Sequence, residues 1–77
     1  MPSPLYQSVV DVVSTYIGPE KAIDCINRQV AHCNATADNF SKDHFRQILQ
    51  RVVGATSMWI RDKAKRAELS SRLESLA

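Results

Sequence analysis

Glycine and proline are scarce in this chain of 77 residues, with two of the first and three of the second. That excludes a flexible linker or a disordered low-complexity tail. It also excludes a glycine-rich phosphate cradle, because Gly18 and Gly54 stand alone. Cysteine is equally sparse. Cys25 and Cys33 lie eight residues apart on one expected helix, so about 12 Å of rise separates them and they cannot bridge each other. Two cysteines make no disulfide framework, and the thiols read as reduced, in a cytoplasmic protein. No apolar run approaches the length needed to span a membrane. The opening stretch MPSPLYQSVV lacks the basic region and long apolar core of a signal peptide. Without secretion, the sequons Asn34-Ala35-Thr36 and Asn39-Phe40-Ser41 are chance matches. Net charge is only +2, but it is uneven: residues 1–40 sum to −2 and residues 41–77 to +4. That asymmetry suits complementarity between helices or with a partner, and is too weak to announce nucleic acid.

What is present is helical periodicity. A chain of this length forms one domain, 1–77, and buries only about 60% of its unfolded surface, so a partner or self-association surface is expected. The central signal runs from Phe40 to Gly54. Ser41 is placed to cap a helix, and Phe40 and Phe45 form a hydrophobic staple across that cap. Phe45, Ile48, Leu49, Val52 and Val53 then share one face, and Gly54 follows as a C-cap. Before it, Ser3 and Pro4 open a helix that runs to Ile17, with Leu5, Val9, Val12, Val13, Tyr16 and Ile17 inward. Gly18-Pro19 ends that helix and starts a second, to about Cys33, with Ala22, Ile23, Ile26, Val30 and Cys33 inward. Residues 34–39 form the longest connection, with a single turn capped by Thr36.

The last segment, Ala55 to Ala77, carries a conflict. Thr56 or Ser57 can cap it, and Ile60, Ala64 and Ala67 line one face. Leu69, Leu73 and Leu76 line another, about half a turn away on a continuous helix. Either the helix kinks near 65–68, or its end turns a second apolar face outward. The absence of glycine and proline from Ile60 to Leu76 favours continuity, and with it a coiled-coil-like seam that pairs two copies. On that reading Leu73→Glu yields a folded monomer.

The stretch TYIGPEKAIDCINRQV, followed by a polar loop and a capped FxxIL helix, resembles small helical accessory domains of bacterial signalling proteins. The likeness covers Val12 to Val53, with one residue more between Pro19 and Ala22 than in those domains. It implies a non-enzymatic regulatory module that docks on another protein.

The residues offer little chemistry of their own. His32, Cys33 and Cys25 are not spaced as converging zinc ligands, and His44 would have to arrive from another helix. A Cys25–His44 nucleophile pair has no supporting oxyanion site. The run Asp38 to Asp43 resembles a calcium loop, but Lys42 breaks the ligand alternation and Leu49 stands where the closing Glu belongs. No cofactor, metal or small-molecule substrate is therefore expected, and no catalysis. Two surfaces remain. Leu69, Leu73 and Leu76 with Trp59 form a candidate protein-partner surface, for a second copy or another protein. Residues 49–66 form the alternative, a helix-turn-helix with Gly54 in the turn and Arg61, Lys63, Lys65 and Arg66 facing DNA phosphates. The expected fold is all-α, a single domain of four helices, or five where the end breaks.

Overall fold

A computed structural model describes residues 2–77. The fold is an all-α bundle of four helices: α1 Pro4–Ile17, α2 Pro19–His32, α3 Lys42–Ser57 and α4 Lys63–Leu76. Each boundary has a local chemical cause. The Ser3 hydroxyl accepts from the Tyr6 amide, with Pro4 at the first helical position where its missing N–H costs nothing. Gly18 then holds φ 89° and ψ 155°, a region closed to side chains with a Cβ. Its N–H donates to the Ser14 carbonyl at 3.0 Å and its carbonyl accepts from Ala22 at 3.0 Å, so one glycine ends α1 and begins α2.

The end of α2 is a Schellman motif. Asn34 takes φ 58°, the Asn34 amide donates to the Ala31 carbonyl, and the Ala35 amide donates to Val30, both at 3.2 Å. Val30 and Ala35 are both buried, which is the apolar contact that accompanies this turn. Thr36 and Asn39 then cap each other, the Thr36 amide donating to Asn39 Oδ1 and the Asn39 amide to Thr36 Oγ1. The Ser3 amide donates to the Ala37 carbonyl at 2.8 Å, which ties the start of the chain to this connection. At the start of α3 the Ser41 amide donates to Nδ1 of His44, and the Ser41 hydroxyl accepts from the His44 amide. This is a capping box with an imidazole where Glu or Gln usually stands. The His44 ring also stacks on Phe40, whose other edges meet Tyr6 and Phe45.

Several expected boundaries shift. Gly54 does not cap α3; the helix runs through it to Ser57 because Thr56, one turn beyond Val52, is itself buried and continues the stripe. The Thr56 hydroxyl accommodates that burial by donating back to the Val52 carbonyl at 2.8 Å. Nor do Thr56 or Ser57 cap the last helix. Asp62 does, its Oδ1 accepting from the Ala64 amide at 2.8 Å. The break therefore falls in residues 58–62, and α4 is continuous across the 65–68 region where a kink was one reading. Ile60 is buried from this connection, not from a helix, while Ala64 and Ala67 are exposed, so the two competing faces never coexist on one helix.

The helices form a ring. α1 packs on α2 and α4, α3 packs on α2 and α4, and α1 also meets α3 across the middle. Among the described residues, α2 and α4 stand at opposite corners without backbone contact. Because α1 has three neighbours, it buries a wide arc: Tyr6, Val9, Val10 and Val13 are fully inside, with Leu5, Val12, Tyr16 and Ile17 partly covered at the edges. Those packing surfaces hold together a valine-rich helix of low intrinsic propensity. Phe45, Ile48 and Val52 fill the centre from α3. In α2 the inward positions are Ala22, Cys25, Ile26 and Val30, whereas Ile23 is exposed. Cys25 thus takes a place the hydropathy pattern assigned to Ile23.

Candidate interaction surface

The four leucine-and-tryptophan candidates separate. Leu69 and Leu73 lie in the chain's own core, at 2% and 0% exposure, and Leu76 packs partly buried against it. They are the anchor of α4 to α1 and α3, and the expected seam between copies is corrected to an internal one. Trp59 is the reverse. It lies in the connection between α3 and α4 with 55% of its surface exposed, beside Met58 at 83%.

The Trp59 ring is held by other parts of the fold. Lys21 Nζ of α2 sits 4.1 Å from the ring centroid, a cation–π contact that fixes one face of the indole. The connection itself is pinned because the Trp59 amide donates to the Thr56 carbonyl at 3.0 Å and the Ile60 side chain is buried immediately after. Two clefts flank the indole. The first, about 240 Å³, runs along α2 between Lys21, Asp24, Cys25, Arg28 and Gln29 on one side and Ala55, Met58 and Trp59 on the other. The second, about 430 Å³, lies between α1 and the start of α4, lined by Thr15, Tyr16, Trp59 through Asp62, Lys65 and Glu68. Trp59 is the ridge common to both.

The polar groups around this ridge are unequally satisfied. Asp24 pairs with Arg28 at 3.3 Å, Asp62 is committed to its helix cap, and Glu68 Oε1 accepts from the Tyr16 hydroxyl at 2.7 Å. Arg72 adds a donor to that same hydroxyl at 3.3 Å. Among the described residues, the cationic groups of Lys21, Arg61 and Lys65 have no carboxylate partner. At the floor of the first cleft, burial and the adjacent Asp24 carboxylate raise the pKa of the Cys25 thiol above its ordinary value, with Arg28 opposing them. No histidine lines that cleft.

The basic residues proposed for DNA do not all converge, since Arg61 and Lys65 share the second cleft while Arg66 leaves it. Arg61, Lys63 and Lys65 are exposed, but Arg66 is half-buried on the α3 side, its Nη2 donating to the Arg61 carbonyl and its Nε covered without a partner. Successive residues of a helix leave it about 100° apart, so Lys65 points to the second cleft while Arg66 points toward Ser57 and Thr56. The Gly54 turn that a helix-turn-helix needs is instead the interior of α3. Sequence reasoning also missed Lys21, whose role comes from a contact 38 positions distant in the chain with no local signal.

Among the described residues, no three His, Cys, Asp or Glu side chains come together as metal ligands, and no helix is long and apolar enough to cross a membrane. Comparison with family models, with curated proteins and with solved structures returns no match to this chain.

Proposed function

We propose that the chain is a non-catalytic protein–protein interaction module whose contact surface is the Met58–Trp59 corner and its two flanking clefts. The observation that carries this reading is the exposed, immobilised indole. A tryptophan left more than half exposed forfeits burial area that a domain of 77 residues needs. Held in place by Lys21 and surrounded by tyrosine and arginine, it has the composition of a binding hot spot, with little ordering left to do on association. A regulatory role in a bacterial signalling protein, in the cytoplasm, follows from the sequence resemblance and is proposed with it.

The test pans a random-peptide display library on the folded domain and counter-screens against Trp59→Ala. Ligands that bind wild type and lose at least about tenfold affinity with the variant, roughly 1.4 kcal/mol, are expected. The variant should keep its stability within about 1 kcal/mol, since the side chain is mostly exposed. A selection yielding no Trp59-dependent ligand overturns the reading, as does a Trp59→Ala protein that unfolds.

A further inference from the structure

We infer that the occupant of the Trp59 corner is an acidic segment of another protein, one that places apolar side chains in the two clefts and carboxylates against Lys21, Arg61 and Lys65. The inference rests on the interaction reading above and adds the chemistry of the partner.

The argument is one of unmatched charge. Seven ionisable Asp, Glu, Lys or Arg side chains line the two clefts, and all three acidic ones are used internally: Asp24 by Arg28, Asp62 by the α4 cap, Glu68 by Tyr16. Of the four cations, only Arg28 has an acidic partner among the described residues. Lys21, Arg61 and Lys65 therefore border the exposed indole as cations without an ion-pair partner among the described residues, and the lining carries one positive charge in excess of its carboxylates. An approaching carboxylate meets cations that no ion pair within the domain competes for, whereas an approaching ammonium meets carboxylates already hydrogen-bonded or ion-paired inside it. Lys21 already spends one face on the Trp59 ring, which sets its charge at the lip of the first cleft.

The same pattern argues against the other occupants. A symmetric pair of copies joined through this face brings a patch with an excess of positive charge onto an identical patch, which gains less than an acidic segment does. The leucines that offered a different dimer seam are inside the domain. A nucleic-acid strand needs a track of cations along its phosphates. Here the three carboxyl groups interrupt any such track, and Arg66 is turned to the α3 side of α4.

The experiment titrates the isotopically labelled domain with two short capped peptides, one alternating Glu with Leu and Phe and the other carrying Lys at every Glu position. Oligothymidylate serves as a third probe. The readout is the indole N–H resonance, unambiguous because the chain has one Trp. The expected result is a saturating shift with the acidic peptide, at least about tenfold weaker binding of the basic one, and affinity that falls as salt screens the cations. The combined variant Lys21→Glu, Arg61→Glu and Lys65→Glu should reverse the preference. All three side chains are exposed, so the variant should retain wild-type helicity. If it fails to fold, the wild-type comparison of the two peptides decides alone. Equal binding of both peptides, lost in Trp59→Ala when followed by the backbone amide resonances, overturns the acidic partner and leaves the interaction surface standing. So does an acidic peptide that leaves the indole unmoved while the display selection still yields Trp59-dependent ligands. Tighter binding of oligothymidylate overturns the inference in favour of nucleic acid, and a concentration-dependent dimer abolished by Trp59→Ala overturns it in favour of a second copy.

Discussion

Leu73 gives the sharpest test of the packing. Its side chain is fully buried, and with Leu69 it supplies the fully enclosed apolar contact that α4 makes with the core. Beyond these two leucines α4 is held by Leu76 at the edge of the core and by the Glu68 and Arg72 contacts with Tyr16, while Ala64, Ala67, Ser71 and Ser75 are not buried. A chain of 77 residues is stabilised by roughly 4–12 kcal/mol in total. Leu73→Ala removes buried methyl groups and leaves a void, costing about 3 kcal/mol, within the usual span of such truncations. In a domain of this size that lowers the melting temperature by about 15 °C. Leu73→Glu goes further, because a carboxylate at that position has no cation or hydrogen-bond donor prepared for it, and the domain should unfold. Urea denaturation followed by far-ultraviolet circular dichroism measures the first, and light scattering at several concentrations accompanies the second. A Leu73→Ala loss below about half a kcal/mol contradicts full burial. A Leu73→Glu protein that keeps its helicity while a wild-type dimer dissociates would place the leucine between copies after all.

The two glycines should respond in opposite directions. Gly54→Ala should gain about 0.5–1 kcal/mol, because the position is helical and a Cβ there meets nothing within 4 Å. Gly18→Ala should lose more than about 1 kcal/mol through backbone strain alone, although the space around it is equally open; matched denaturation midpoints for the two would refute the φ argument. Gln29→Met should stabilise the fold by about 1 kcal/mol, since Gln29 Oε1 is covered without a donor and its removal ends an uncompensated desolvation. Burial raises the pKa of both the Cys25 thiol and the Tyr6 phenol above their ordinary values of 9.0 and 10.0. The unfolded chain therefore loses these protons first, and stability should be steady near neutrality and fall as the pH rises above about 9. Cys25→Ala should remove the earlier part of that decline, and a midpoint flat through the alkaline range would contradict it.

Where the sequence was legible, the responsible forces act within one turn. Ser3 with Pro4, Gly18 with Pro19, and Phe40-Ser41 with Phe45 announce helix starts because caps and staples are made by near neighbours. Gly54 was misread because a local preference for ending a helix competed with packing several residues on. The burial of Thr56 won, and Phe45, Ile48, Val52 and Thr56 were already a continuous stripe. Asp62 was a readable cap that stood unnoticed behind two hydroxyl candidates. The pattern of α4 was legible as two faces, but not that one of them belonged to a connection outside the helix. For the surface, the Met58–Trp59 pair was visible and its exposure was not, since a tryptophan's side of the fold is decided by which helices meet around it. Charge alone assembled Arg61, Lys63, Lys65 and Arg66 into a cluster, and the geometry of α4 turns Arg66 away from the cleft that Arg61 and Lys65 share.

The ring of helices has a mechanical consequence at the Trp59 corner. α2 and α4 share no direct backbone contact, so their relative position is set through the helices between them and through the Lys21 contact with the connection that carries Trp59. The first cleft has α2 for a wall and the second has α4, and the indole stands between. A ligand seated in both therefore acts as a brace across the open diagonal of the bundle. Such a ligand would tie α4 to the helix it does not touch, and slower exchange of the α4 amides on binding would show it.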